Sequence, residues 1–127
     1  MRCVDGEARH ELFHGSAVRA TFGPMVLLRL LHSRYLCLNA AQVRSWLNDS
    51  DTPAAIRATP GVQDVQFSFC PGEGWLAARY IFDDLDGLRA FPDSAAFAQA
   101  KDEVTTHPHY DSSRQPHEFK GFFLPEV

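Results

Sequence analysis

Residues 59–98 read TPGVQDVQFSFCPGEGWLAARYIFDDLDGLRAFPDSAAFA, and the order of elements in this stretch decides the fold. Pro60-Gly61 is a breaker. From Val62 to Cys70 the apolar residues Val65, Phe67 and Phe69 alternate with Asp64, Gln66 and Ser68, the period-two signature of a strand with one apolar face. Pro71-Gly72-Glu73-Gly74 then predicts a tight turn. A second strand is expected over Trp75–Phe82, with Leu76, Ala78, Tyr80 and Phe82 on one side and Trp75, Ala77, Arg79 and Ile81 on the other. Asp83, Asp84 and Asp86 stop that strand. They suit the cap of a short helical turn carrying Leu88 and Phe91, and they lack the spacing and glycine of a calcium loop. A longer helix is expected from about Ser94, with Phe97, Ala100, Lys101 and Val104 inward, ending before Pro108.

Upstream, Met25–Leu31 is apolar apart from Arg29 and has strand length, although a short buried helix fits the same run. Asn39, with Gln42 three residues on, is a capping-box signal for a helix whose stripe is Ala40, Val43 and Leu47, with Trp46 adjacent. Thr52-Pro53 restarts a helix, with Thr52 as cap. Residues 109–116 read as a polar loop and Glu118–Leu124 as a last strand. The order strand, helix, strand, strand, helix, strand is the split βαβ pattern of an α+β, ferredoxin-like fold, a four-stranded antiparallel sheet with helices on one face. The uncovered face would leave an apolar patch of several hundred Å2, which a symmetric homodimer removes.

Residues 25–127 form the expected domain. Residues 1–24 have weaker periodicity and read either as an arm or as a non-native extension before Met25. The chain has 127 residues, 45% hydrophobic and 22% charged, with a net charge of −4. That is an ordinary composition for one globular domain. Its 12 basic residues are scattered singly, which argues against a nucleic-acid partner. No apolar run has membrane-spanning length, so no membrane partner is expected. Cys3, Cys37 and Cys70 lack metal or redox spacing, and reduced thiols in a cytoplasmic protein are expected.

The chain resembles the dimeric α+β barrel superfamily, and within it the antibiotic-biosynthesis-monooxygenase-like domains. The resemblance rests on Pro60-Gly61-Val62, Arg79-Tyr80-Ile81-Phe82, Asp86-Gly87-Leu88-Arg89-Ala90-Phe91 and Ser94-Ala95-Ala96-Phe97. It implies an apolar cavity between sheet and helices. It also implies a cofactor-independent oxygenase acting on a small aromatic or polyketide-like molecule, with no bound cofactor. Haem-degrading relatives use a Trp and a His where this chain has Phe91 and Lys101, which counts against that activity.

His107-Pro108-His109-Tyr110 is the densest group of chemical side chains. In the oxygenase reading His107, His109 or Tyr110 moves a proton, and Arg79 stabilises an oxyanion. The same histidines also suit a polar helix end, and Arg79 also suits a structural salt bridge. Trp75, Tyr80, His32, Tyr35 and Phe67 are the candidate substrate contacts, or else plain core and loop residues. No metal site is expected, because a third ligand to the histidine pair, His32 or His117, depends on the fold. The other function open to the chain is a non-catalytic homodimeric ligand-binding or interaction domain. A cavity plugged by Phe67, Phe69, Trp75 or Phe122 favours that role. An open cavity with His or Arg pointing inward favours an enzyme.

Overall fold

A computed structural model of the chain describes residues 27–122. The expected arm over 1–24, Cys3, the first two residues of the opening strand and the end of the last strand beyond Phe122 lie outside the described residues. The elements are β1 (Leu27–Arg34), α1 (Ala40–Asp49), α2 (Thr52–Arg57), β2 (Val62–Cys70), β3 (Trp75–Phe82), α3 (Leu85–Ala90), a 3-10 turn (Phe91–Asp93), α4 (Ala95–Thr106) and β4 (His117–Phe122). The sheet order is β2-β3-β1-β4 with every pair antiparallel, which is the ferredoxin-like arrangement.

The bounds of β2 and β3 coincide with the alternation in the sequence. Their turn closes because Gly74 sits at φ +80, and Tyr35 donates its backbone N–H to the Gly74 carbonyl at 2.7 Å. A methyl group on Gly74 would lie 2.1 Å from the Tyr35 carbonyl oxygen, so only glycine fits there. The α1 capping box forms in full: the Asn39 side chain accepts from Gln42 N–H, and the Gln42 side chain accepts from Asn39 N–H. Asp84 caps α3 and Ser94 caps α4. At α2 the expectation differs from the structure. Thr52 is the first helical residue rather than the cap, and the Ser50 hydroxyl accepts its N–H at 3.0 Å.

Parity along the strands divides the sheet. Leu31, Ser33, Val65, Phe67, Phe69, Leu76, Ala78, Tyr80 and Phe82 face the helices. They pack with Ile56, Leu88, Phe91, Phe97 and Ala100 in one cluster and with Leu38 and Val43 in a second. Lys101, expected inside α4, is exposed, and its ammonium stands 5.8 Å from the Phe97 ring centre. Ala96, Phe97 and Ala100 set the buried phase instead.

The described helices all lie on one side. Leu28, Leu30, His32, Asp64, Gln66, Ser68, Trp75, Ala77, Arg79, Ile81, His117 and Phe119 face the other way. This second face is less uniformly apolar than the sequence suggested. Its apolar residues on β3, β1 and β4 are largely covered already within the single chain, Ile81 and Leu28 being buried and Leu30 half-buried, so the bare patch expected from the sequence shrinks to the surroundings of Phe119, while β2 contributes Asp64, Gln66 and Ser68. Phe119 is 49% exposed.

Candidate functional site

The stripe of α4 that meets the sheet carries a carboxylate. Glu103 follows Ala100 by three residues, so helical spacing sets it on the buried side. The corner between α1 and α2 faces it. Trp46 Nε1 donates to Glu103 Oε2 at 2.6 Å, and Ser50 Oγ donates to Oε1 at 2.8 Å. Thr52 Oγ1 also donates to Oε1, and Gln99 Nε2 donates to Thr52 Oγ1 at 3.0 Å. Burial pushes the Glu103 carboxyl up, but the bonds from Thr52, Ser50 and Trp46, with His107 nearby, outweigh it and leave the pKa below its ordinary value. Glu103 is therefore an ionised anchor tying α4 to the α1–α2 corner.

Beside it lies a cavity of about 30 Å3 between sheet and helices. Its wall is mostly apolar (Leu31, Ile56, Phe67, Leu76, Ala78, Tyr80), and its polar lining consists of Ser33, Ser50, Thr52 and Glu103. A space of this size holds about one water molecule. Phe67 and Tyr80 are part of the cavity wall and pack with the core cluster. Neither histidine nor arginine lines it.

At the end of α4 the chain turns outward through His107. Its ring rests on Trp46 (centroids 4.3 Å apart) and meets Tyr35 edge-on at 5.4 Å. The His109 N–H donates to His107 Nδ1 at 3.1 Å, which leaves Nε2 as the proton-bearing nitrogen of a neutral ring. Burial and the neighbouring His109 lower the His107 pKa, against the opposing pull of Glu103. The imidazole is accordingly neutral at pH 7. His109 is exposed and bonds through Nδ1 to the Leu36 carbonyl at 2.9 Å. Tyr35 is buried, donates its hydroxyl to the Val104 carbonyl at 3.0 Å, and has its pKa driven up mainly by burial. Tyr110 bridges to Tyr35 through the backbone and stands edge-on to its ring at 5.8 Å.

The loop expected over 109–116 is pinned by Asp111. Its carboxylate pairs with Arg34 at 3.2 Å and accepts from the Ser113 hydroxyl, which holds it below the usual carboxylate range. Arg34 also donates through Nε to the Glu73 carbonyl, joining the loop to the β2–β3 turn.

The expected site residues fall on two sides of the sheet. His107, His109, Tyr110, Tyr35, Tyr80 and Phe67 belong to the helix side. Arg79, Trp75 and His32 belong to the other side, so the structure does not bring Arg79 together with the histidines. His32 lies opposite His117 across β1 and β4. Burial, and then His117, lower its pKa. His32 packs edge-on to Phe119 and Trp75 edge-on to His117. Arg79 is half-buried opposite Leu30 and Gln66. Among the described residues, no group of three or more His, Cys, Asp or Glu converges as metal ligands, and no helix is long and apolar enough to cross a membrane. Sequence reasoning missed Glu103, Ser50 and Thr52 as site residues and read Trp46 only as a flank of an apolar stripe. The available signal was a carboxylate on the apolar stripe of α4.

No family model and no curated protein matches the chain. Solved structures do. Rv0793 from Mycobacterium tuberculosis superposes with a TM-score of 0.55 at 11% identity, over 76% of this chain and 92% of its own. NE2512, a protein of unknown function from Nitrosomonas europaea, gives 0.58 at 16% identity, over 80% and 91%. A dimeric protein of unknown function and ferredoxin-like fold from Bacteroides fragilis gives 0.48 at 20% identity, over 79% and 99%. At the identities of the first two, the likeness is one of fold: this chain shares its architecture with Rv0793 and NE2512 over about four-fifths of its length.

Proposed function

We propose that this chain is the protomer of a homodimeric, non-catalytic interaction or ligand-binding domain in which two sheets close face to face. The observation that carries the dimer is the sheet face that none of the described helices covers, with the half-buried Leu30 and the 49% exposed Phe119 side by side on β1 and β4. An exposed aromatic beside aliphatic residues is the composition of an interface core. The absence of turnover is supported by the cavity. At about 30 Å3, walled by Phe67, it is part of the packing, and its one carboxylate is engaged in three hydrogen bonds. The test is sedimentation of wild type and Phe119→Asp at matched concentration. Wild type sediments as a dimer and the variant as a folded monomer. Dimers of equal stability in both would refute the assignment of the interface.

A second reading has its own observation. A neutral His107, stacked on Trp46 and beside Glu103, stands near the polar side of the cavity. That arrangement fits a monooxygenase-like enzyme acting on a small aromatic or polyketide-like molecule, with the His107 Nε2–H donating to a substrate oxygen and no bound cofactor. This reading requires the half-buried Trp46 and Leu47 to swing away and admit a substrate. Oxygen uptake with a hydroquinone-type substrate, present in wild type and lost in His107→Gln, would establish it and displace the non-catalytic reading.

A further inference from the structure

The register of β1 and β4 places Arg29 and Lys120 directly opposite each other on the helix side of the sheet, with Glu118 two residues before Lys120. The last turn of α3 stands over them. Together they line an open groove of about 580 Å3, whose polar groups are Arg29, Arg89, Lys120 and Glu118 and whose apolar floor includes Leu85 and Leu88. The volume is that of a small-molecule site. The groove is separate from the core cavity, with no lining residue in common, and it lies on the opposite side of the sheet from the proposed dimer face.

Arg29 is the unusual member. It is only 3% exposed in the middle of a strand. One Nη pairs with Glu118 and the other donates to the Leu88 carbonyl at 3.2 Å, while its Nε is buried with no hydrogen-bond partner. A buried guanidinium normally has all its donors engaged. Glu118 is the single carboxylate lining the groove, against three cations, and Arg89 and Lys120 are both exposed. Leu85, 44% exposed, is one of three large hydrophobic residues left open among the described residues.

We propose that this groove binds an amphipathic organic anion. The acidic headgroup lies between Arg89, Lys120 and Arg29, and the apolar body lies on Leu85 and Leu88. The cations fix the headgroup by charge-assisted bonds, and the leucines supply area that inorganic anions do not use. The inference does not rest on the dimer and stands whether or not the domain turns over a substrate.

The test is a titration of the full chain with sodium octanoate, followed by amide chemical shifts, with acetate and inorganic phosphate as headgroup-only probes. Octanoate is expected to shift amides of residues 85–91 and 118–121 with sub-millimolar to millimolar affinity, while acetate and phosphate bind about tenfold more weakly or not at all. The double variant Arg89→Glu/Lys120→Glu changes exposed side chains only and leaves the Arg29–Glu118 pair in place. It is expected to weaken octanoate about tenfold. The proposal is overturned by any of three results: no shifts up to about 10 mM octanoate, equal affinity for phosphate or acetate, or unchanged affinity in the double variant.

Discussion

Replacing Glu103 removes the acceptor that joins α4 to the α1–α2 corner, and the cost can be worked bond by bond. Glu103→Ala strands three donors: Trp46 Nε1, Ser50 Oγ and Thr52 Oγ1. Each bond to the carboxylate contributes about 1 kcal/mol once allowance is made for the solvent that reaches this half-buried site, so the variant loses about 3 kcal/mol. For a chain of this length that lowers Tm by about 12 °C. Glu103→Gln keeps an oxygen for the indole and turns its amide toward the two hydroxyls, which can rotate to accept, so about 1 kcal/mol is lost. The effect depends on pH. The folded pKa of Glu103 is depressed, so the stability it adds is fully present above the unfolded value near 4.3 and is lost as pH falls through the lower folded value. Urea unfolding of wild type and both variants at pH 7 and pH 3 measures this. The gap between wild type and Glu103→Gln is expected to narrow at acid pH. A Glu103→Ala midpoint equal to wild type at pH 7, or a Gln gap independent of pH, would refute the reasoning.

Gly74→Ala is expected to lower stability by about 3 kcal/mol, because it combines a positive φ with a backbone clash against Tyr35, whereas Gly72→Ala, with open space around it, should stay within about 0.5 kcal/mol; equal thermal midpoints for the two would contradict the turn geometry. His32 has a lowered folded pKa, so stability is expected to fall as pH drops below about 6.5, and His32→Gln should reduce that fall without abolishing it, since His107 contributes in the same sense. Denaturation midpoints at pH 7.5 and 5.5 check this, and an unchanged pH dependence in the variant would count against it.

Most of the fold was legible because its signals are local. Alternation delimited β2 and β3. The Asn39–Gln42 pair announced α1, and Ser94 announced α4. The helix phase was less secure. Lys101 and Ala100 both follow Phe97 at helical spacings and both are expected inward, and only the packed structure shows that Lys101 turns out and Glu103 turns in. The site was less legible still, because its members meet through the tertiary fold. Trp46 and Glu103 are 57 residues apart, and Arg29 and Glu118 are 89 apart. One error was avoidable from parity alone. Arg79 and Tyr80 are neighbours on β3 and therefore point to opposite faces, so they cannot serve one pocket.

The central claim is that two copies of the sheet close over each other through the face bearing Leu30 and Phe119. Light scattering on the purified chain at about 10 μM, in the concentration range where a specific dimer persists, tests it most directly. The account predicts twice the chain mass of 14.2 kDa for wild type. A single-chain mass at that concentration would contradict it.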